Sequence, residues 1–203
     1  PMLGHVLQRA LTLGAAPIAL VLAPGMEKVA DYARDLAGDV DIAIQKEQLG
    51  TAHAVLAGRT ALGELEGNLL ILYGDTPLLT PESIGQLLAA LDDDKQCAVA
   101  VLGFIPEDAG AYGRLVLGDD GQLERIVEAK DANEDELAIE LCNSGVMALR
   151  GKLAWSLLEK VKNSNAKGEY YLTDVVEIAR AAGHRAVVVE GDADEVLGVN
   201  SRT

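Results

Sequence analysis

LLILYGDTPL, residues 69–78, joins an unbroken apolar run over 69–73 to a turn. An apolar run of that length, with turn chemistry directly behind it, predicts a short central strand buried on both faces, as in a parallel sheet. Gly74 lets the backbone turn, Asp75 is the first polar side chain past the strand, and Pro77 stops the strand from continuing. In open α/β sheets, ligands bind beyond the carboxyl ends of the strands. A carboxylate there suits a hard cation such as Mg²⁺ and would present it to phosphate oxygens. Taken alone, the stretch favours reading Asp75 as the cap of a turn or of the next helix.

The chain of 203 residues suits one α/β domain, and an apolar content of 49% is enough for a substantial core. Aromatic residues make up only 3%, so Leu, Val, Ile and Ala must fill that core. A net charge of −15 argues against a nucleic-acid or anionic-membrane partner, which would need clustered Lys and Arg. A small nucleotide stays compatible, because a metal ion and a few local donors can offset its phosphates. Cys97 and Cys142 lie in apolar runs and read as reduced core residues of a cytoplasmic protein. No signal peptide is apparent, and no apolar run approaches the ~20 residues needed to cross a bilayer. The chain opens at Pro1, without an initiator Met, and is expected to be an internal segment of a longer protein or one lacking its first residues.

Outward from the central run, the pattern predicts helices over 1–13, 26–37, 51–62 and 81–91, with strands over 18–22 and 41–45 between them. This alternation predicts a three-layer, Rossmann-like sheet, mostly parallel and with right-handed crossovers. Beyond the acidic loop 92–95 the texture changes. A strand over 97–104, a hairpin of 114–117 and 123–127 around Asp119-Asp120-Gly121, and a strand over 141–149 predict a small antiparallel excursion. Helices over 152–161 and 173–182 and a strand over 186–189 complete a single domain.

Six further stretches carry candidate chemistry. In QKEQLGTAHA, residues 45–54, a strand ends at Gln45 and Gly50-Thr51 opens a helix whose free N–H groups face the loop. Gly50 admits a flat ring close to the backbone, Thr51 is the expected N-cap, and the Gln45 amide offers the donor and acceptor that an imide edge such as uracil requires. His53 reads as a packing or surface residue. Gly113 in AYGRL begins a strand where bare backbone suits a passing ligand, and Glu128 at a strand end could accept two sugar hydroxyls or simply face water. Asn143 stands in an apolar strand, where a buried amide must find partners. Tyr171 and Thr173, in EYYLTD, are within reach of a sugar, with Thr173 the expected helix cap, and Asn200 in LGVNSR offers a neutral oxygen ligand.

In order and spacing, LYGDTPLL, EQLGTAHA, YGRLV, IVEAKDA, NSGV, NAKGEYYLTD and GVNSR resemble the uridyltransferase domain of bacterial bifunctional N-acetylglucosamine-1-phosphate uridyltransferase / glucosamine-1-phosphate acetyltransferases. The likeness covers nearly the whole chain. It implies transfer of UMP from UTP to N-acetylglucosamine 1-phosphate, giving UDP-N-acetylglucosamine and pyrophosphate for peptidoglycan and lipopolysaccharide precursors. It further implies that Asp75 and Asn200 bind a catalytic Mg²⁺, and that Gln45, Gly50 and Thr51 hold the uridine. Tyr73 and Gly74 would lie beside the ribose and phosphates, with Gly113, Glu128, Asn143, Tyr171 and Thr173 around the sugar. The family's Gly-rich phosphate loop and following lysine are expected ahead of Pro1. Its acetyl-transferring, trimerising β-helix is expected beyond Thr203. Other readings remain open on the residues alone: a nucleotidyltransferase for another sugar or base, or a non-catalytic nucleotide-sugar binding module. A GT-A glycosyltransferase would share the fold class, but the Asp-x-Asp pair expected after the central strand is not present.

Overall fold

A computed structural model describes residues 1–165 and 167–196. The first part of the chain alternates helices and strands: α1 (Met2–Thr12), β1 (Ile18–Leu22), α2 (Glu27–Ala37), β2 (Val40–Ile44), α3 (Thr51–Ala57), α4 (Arg59–Leu62), β3 (Leu69–Ile71) and α5 (Pro81–Asp93). There follow β4 (Cys97–Phe104), β5 (Arg114–Leu117), β6 (Leu123–Val127), α6 (Glu134–Leu137), β7 (Cys142–Leu149), α7 (Gly151–Leu158), a 3₁₀ turn (Leu172–Asp174), α8 (Val175–Ala181), β8 (Arg185–Glu190) and α9 (Ala193–Val196).

β1 and β2 pair in parallel, from Ile18 opposite Val40 to Leu22 opposite Ile44. The remaining strands form a second sheet, ordered β6-β5-β7-β4-β8, with β3 also paired to β7. β3, β4 and β5 all run antiparallel to β7, and β8 runs parallel to β4. Most strands of this sheet therefore point the same way, with β7 and β6 reversed. The antiparallel excursion is not peripheral, because β7 lies between β3 and β4.

The core follows the period of two along β4 from Val99 onward, past an irregularity between Cys97 and Val99. On β4, Ala98, Val99 and Val101 face a cluster built from α7 and α8, including Ala154, Trp155, Leu158 and Val176. Ala100, Leu102 and Phe104 face Leu79, Ile84, Leu87 and Leu91 around α5. All eight residues of β4 are buried, as a strand covered by helices on both faces must be. The resulting order is helix, sheet, helix, the expected three-layer arrangement. α5 is capped by Thr80, which accepts from the Ser83 N–H, and Pro81 takes the first helical position. Cys97 and Cys142 are buried free thiols, with burial pushing both upward from the usual thiol range.

The structure corrects the reading of the opening stretch. β3 covers three residues instead of five, pairs antiparallel with β7, and only Leu69 of the three is buried. Parallel and antiparallel neighbours place the same demand on an apolar strand, so composition alone could not reveal β7 beside it. The helix expected over 51–62 is divided at Gly58 into α3 and α4. The short helices α6, with a capping box between Asn133 and Glu136, and α9 were not expected.

Phe104 is fully buried and stands edge-on to Tyr112, with ring centroids 4.9 Å apart. Phe104→Ala is expected to cost about 3–5 kcal/mol of stability, read from the midpoint of urea unfolding. A loss below about 1 kcal/mol would show that the neighbouring α5 layer collapses into the space.

Candidate active site

One edge of β7 is shared. Near its start Cys142 pairs with Arg114 of β5, and near its end Met147–Leu149 pair with β3. Between them, Asn143, Ser144 and Gly145 border a cavity of about 260 Å³ beyond the carboxyl end of β3. Gly145 has φ +90°, and a Cβ there would stand 3.0 Å from the Tyr73 ring, so glycine lets the aromatic ring lie on the strand. Thr51, Tyr73, Gly113, Glu128, Asn143 and Thr173, all expected in the site, line this cavity.

Two of the motifs meet as backbone. The Tyr170 N–H donates to the Leu49 carbonyl at 2.7 Å, and the Ala52 N–H donates to the Tyr170 carbonyl at 3.0 Å. Gly50 lies between them with φ +114°, where a Cβ would be 2.5 Å from the Tyr170 oxygen. Gly50 is thus required for the close approach of the 169–174 stretch to the loop. Thr51 does not cap α3; its hydroxyl oxygen accepts from the Leu172 N–H at 3.0 Å, closing the same clip. Thr173 likewise caps no helix, but donates to Glu128 Oε1 at 3.2 Å.

The site's electrostatics follow from burial next to carboxylates. Burial pushes Tyr73 up to about 12, opposed by its hydrogen bond with Thr51 and reinforced by Glu128 and Asp75. Burial raises Glu128, while Thr173 and Lys167 oppose the shift. Tyr171 is also raised, by burial and then by surrounding acids led by Asp131. Burial pushes Asp174 up to about 6, with Glu177, Glu128 and Asp131 adding to the effect. On β7, Asn143 Oδ1 accepts from the Gly145 N–H at 3.0 Å, which directs the donor end of the amide elsewhere. Ser144 donates to the Leu102 carbonyl at 2.6 Å and accepts from the Val146 N–H, so its hydroxyl is structural.

The other expected residues are placed as follows. Asp75 follows β3 and caps neither its turn, closed by Thr76 N–H to the Tyr73 carbonyl, nor α5, capped by Thr80. Gly74 turns without a positive φ, so conformational need does not account for it. Gln45 and Tyr171 are half-buried and do not line the cavity. Asn200 lies outside the described residues. Among the described residues, no group of three or more His, Cys, Asp or Glu could hold a metal ion. His53, expected to serve packing or surface, instead holds the Gln45 amide, with its Nδ1 3.0 Å from Gln45 Nε2. Its place eight residues after Gln45 gave no periodic hint of that contact.

The profile of the MobA-like NTP transferase domain family matches residues 1–138. The chain is 50% identical over 202 residues to the bifunctional protein GlmU of Rhizorhabdus wittichii, covering 100% of this chain and 44% of that protein. To the bifunctional protein GlmU of Azorhizobium caulinodans it is 53% identical over 201 residues, covering 99% and 44%. The chain thus spans less than half the length of these curated relatives, and the resemblance read from its motifs holds. In fold it is similar to an apo UDP-glucose pyrophosphorylase, with TM-score 0.74 at 18% identity over 94% of this chain and 78% of the other. A CMP:2-keto-3-deoxy-manno-octonic acid synthetase complexed with CTP gives TM-score 0.66 at 20% identity, over 95% and 80%. The expected nucleotidyltransferase fold is therefore the observed one, and the chain belongs to the MobA-like NTP transferase domain family.

Proposed function

We propose that this domain transfers UMP from UTP to N-acetylglucosamine 1-phosphate, releasing pyrophosphate and giving UDP-N-acetylglucosamine. One observation carries the reading: the cavity beyond β3 gathers Thr51, Tyr73, Gly113, Glu128, Asn143 and Thr173 from separate stretches of the chain. Their chemistry suits a sugar and a nucleotide, with hydroxyl, amide and carboxylate groups on a partly apolar wall. The 50% identity to a bifunctional protein GlmU and the match to the MobA-like NTP transferase domain support nucleotidyl transfer to a sugar phosphate. Gln45, Gly50 and Thr51 would receive the uridine, with Tyr73 and Gly74 by the ribose and phosphates. Glu128, Asn143, Gly113, Tyr171 and Thr173 would surround the sugar. A β-helix beyond Thr203 would make the parent a cytoplasmic homotrimer. Among the described residues, no helix is long and apolar enough to cross a membrane.

In the reaction, an oxygen of the sugar phosphate attacks the α-phosphorus of UTP, and the bond to the β-phosphate breaks. That oxygen is already anionic near neutral pH, so the protein needs no general base, consistent with Ser144 being tied into β7. Positioning and charge neutralisation remain for the protein to supply. Asp75 and Asn200 are the residues that would hold Mg²⁺. A cation shared with phosphates needs few protein ligands, and the Asp75 carboxylate lies near enough to the cavity to act on Tyr73. Once bound, that ion would offset the phosphate charge. The donor end of Asn143 would orient the sugar, and Glu128, fixed by Thr173, would accept its hydroxyls.

Assaying the full-length protein with each nucleoside triphosphate and each sugar 1-phosphate tests the substrates. The highest kcat/KM is expected for UTP with N-acetylglucosamine 1-phosphate, and a clear preference for any other pair overturns the assignment. Asp75→Ala should lower turnover by about 10²–10³ while changing uridine-nucleotide affinity far less; equal losses would indicate a folding defect. Asn143→Ala should weaken sugar-phosphate binding by about fivefold to tenfold, the worth of one hydrogen bond, and leave UTP binding nearly unchanged. Titration calorimetry separates the two half-sites. For Asp174, held at about 6 in the folded protein, charging is penalised on folding, so stability is highest below the usual carboxylate range and falls as pH rises through 6. Asp174→Asn should remove that fall, raising the urea midpoint at pH 8 but not at pH 4.

A further inference from the structure

Gln45 lies just beyond β2, with its backbone N–H bonded to the Leu22 carbonyl at 2.9 Å, so its side chain leaves the sheet from a fixed point. The side-chain Nε2 is 3.0 Å from the Gly50 carbonyl oxygen and 3.0 Å from His53 Nδ1. A carbonyl oxygen only accepts, so the atom facing Gly50 must be the amide NH₂. One of its hydrogens goes to Gly50 and the other to His53. The second bond requires a lone pair on Nδ1, with the imidazole proton on Nε2. The imidazole lies beside Tyr170, whose ring centroid is 6.3 Å away at a tilt of 31°. Tyr170 is in turn clipped to Leu49 and Ala52 by the backbone bonds on either side of Gly50.

With both hydrogens of the NH₂ engaged, the Gln45 amide has only Oε1 left to offer. A glutamine that can turn over presents either a donor or an acceptor and tolerates either pyrimidine. Turning this amide would set Oε1 against two acceptors, the Gly50 oxygen and the Nδ1 lone pair. We propose that His53 is a positioning residue for base selection: it fixes the Gln45 amide so that an acceptor alone meets the nucleotide, favouring the N3–H of uracil over the bare N3 of cytosine. The inference rests on the uridine reading given above and adds to it the device that enforces the choice. His53 touches no substrate, so its effect should appear in the ratio between bases and not in turnover alone.

The test uses the full-length protein with UTP and CTP as paired probes. His53→Phe keeps a flat ring beside Tyr170 but removes Nδ1. It is expected to lower the preference for UTP over CTP by about fivefold to tenfold, the worth of one hydrogen bond. In His53→Asn, Oδ1 stands in for Nδ1, and the preference should be retained. A His53→Phe protein that loses UTP and CTP activity equally overturns the role of His53 while leaving the uridine reading intact. A wild-type protein with no preference for UTP overturns the uridine reading and this inference with it. The imidazole ¹⁵N spectrum of the wild type gives a check that needs no folded Phe variant. The chain has three histidines, and the signal absent from His53→Asn identifies the one concerned. Its Nδ1 must show as the unprotonated nitrogen; a protonated Nδ1 overturns the proposal.

Discussion

The reversed strand β7 is the constraint on which the rest of the structure depends. It pairs with β4 along one edge and divides its other edge between β5 and β3. On that second edge Asn143 still donates its backbone N–H to the Gly113 carbonyl at 2.8 Å, and the short stretch between it and Met147, where the pairing with β3 begins, becomes a wall of the cavity. Backbone pairing thus creates both the sheet and the opening in it. The residues that border the opening are those the pairing leaves over: a polar amide, a hydroxyl already used, and a glycine on which Tyr73 can rest.

A second constraint closes the cavity from the opposite side. The loop before α3 and the stretch before α8 are about 120 residues apart in the chain. They meet through backbone hydrogen bonds around Gly50 that no side chain larger than hydrogen would permit. This contact turns Thr51 from a helix cap into an acceptor for Leu172 and brings Thr173 onto Glu128. It also packs Tyr170 against His53, whose Nδ1 engages the Gln45 amide. The proposed uridine and sugar half-sites therefore share one support.

The protein's excess of acid shapes how such a site can work. With a net charge of −15, attraction for phosphates cannot come from the surface as a whole. Around the cavity, burial first and the neighbouring carboxylates second raise Tyr73, Glu128 and Asp174, so further negative charge is disfavoured there. Neutral donors such as the Asn143 amide, with any bound cation, then carry the interaction with anionic substrates.

Much of the fold was legible because strands and helices write their periods locally: the apolar run of β4, the helix of α5 and the hairpin of β5 and β6 were all readable in order. The motifs around Gln45, Asp75 and Glu128 also pointed to polar groups at strand ends, that of Gly113 to bare backbone where a strand begins, that of Asn143 to an amide within a strand and that of Thr173 to a helix start. What local pattern could not contain was which strand lies beside which, because an apolar strand looks the same next to a parallel or an antiparallel neighbour. For the same reason it could not show Thr51 meeting Leu172, Thr173 meeting Glu128, or His53 taking the second hydrogen of Gln45. By itself the sequence determined most of the elements, their order and the chemical kinds of group at their ends. Only the tertiary structure decided which of those groups face one another, because hydrogen bonds between distant segments depend on register and close approach, and neither is encoded within any one segment.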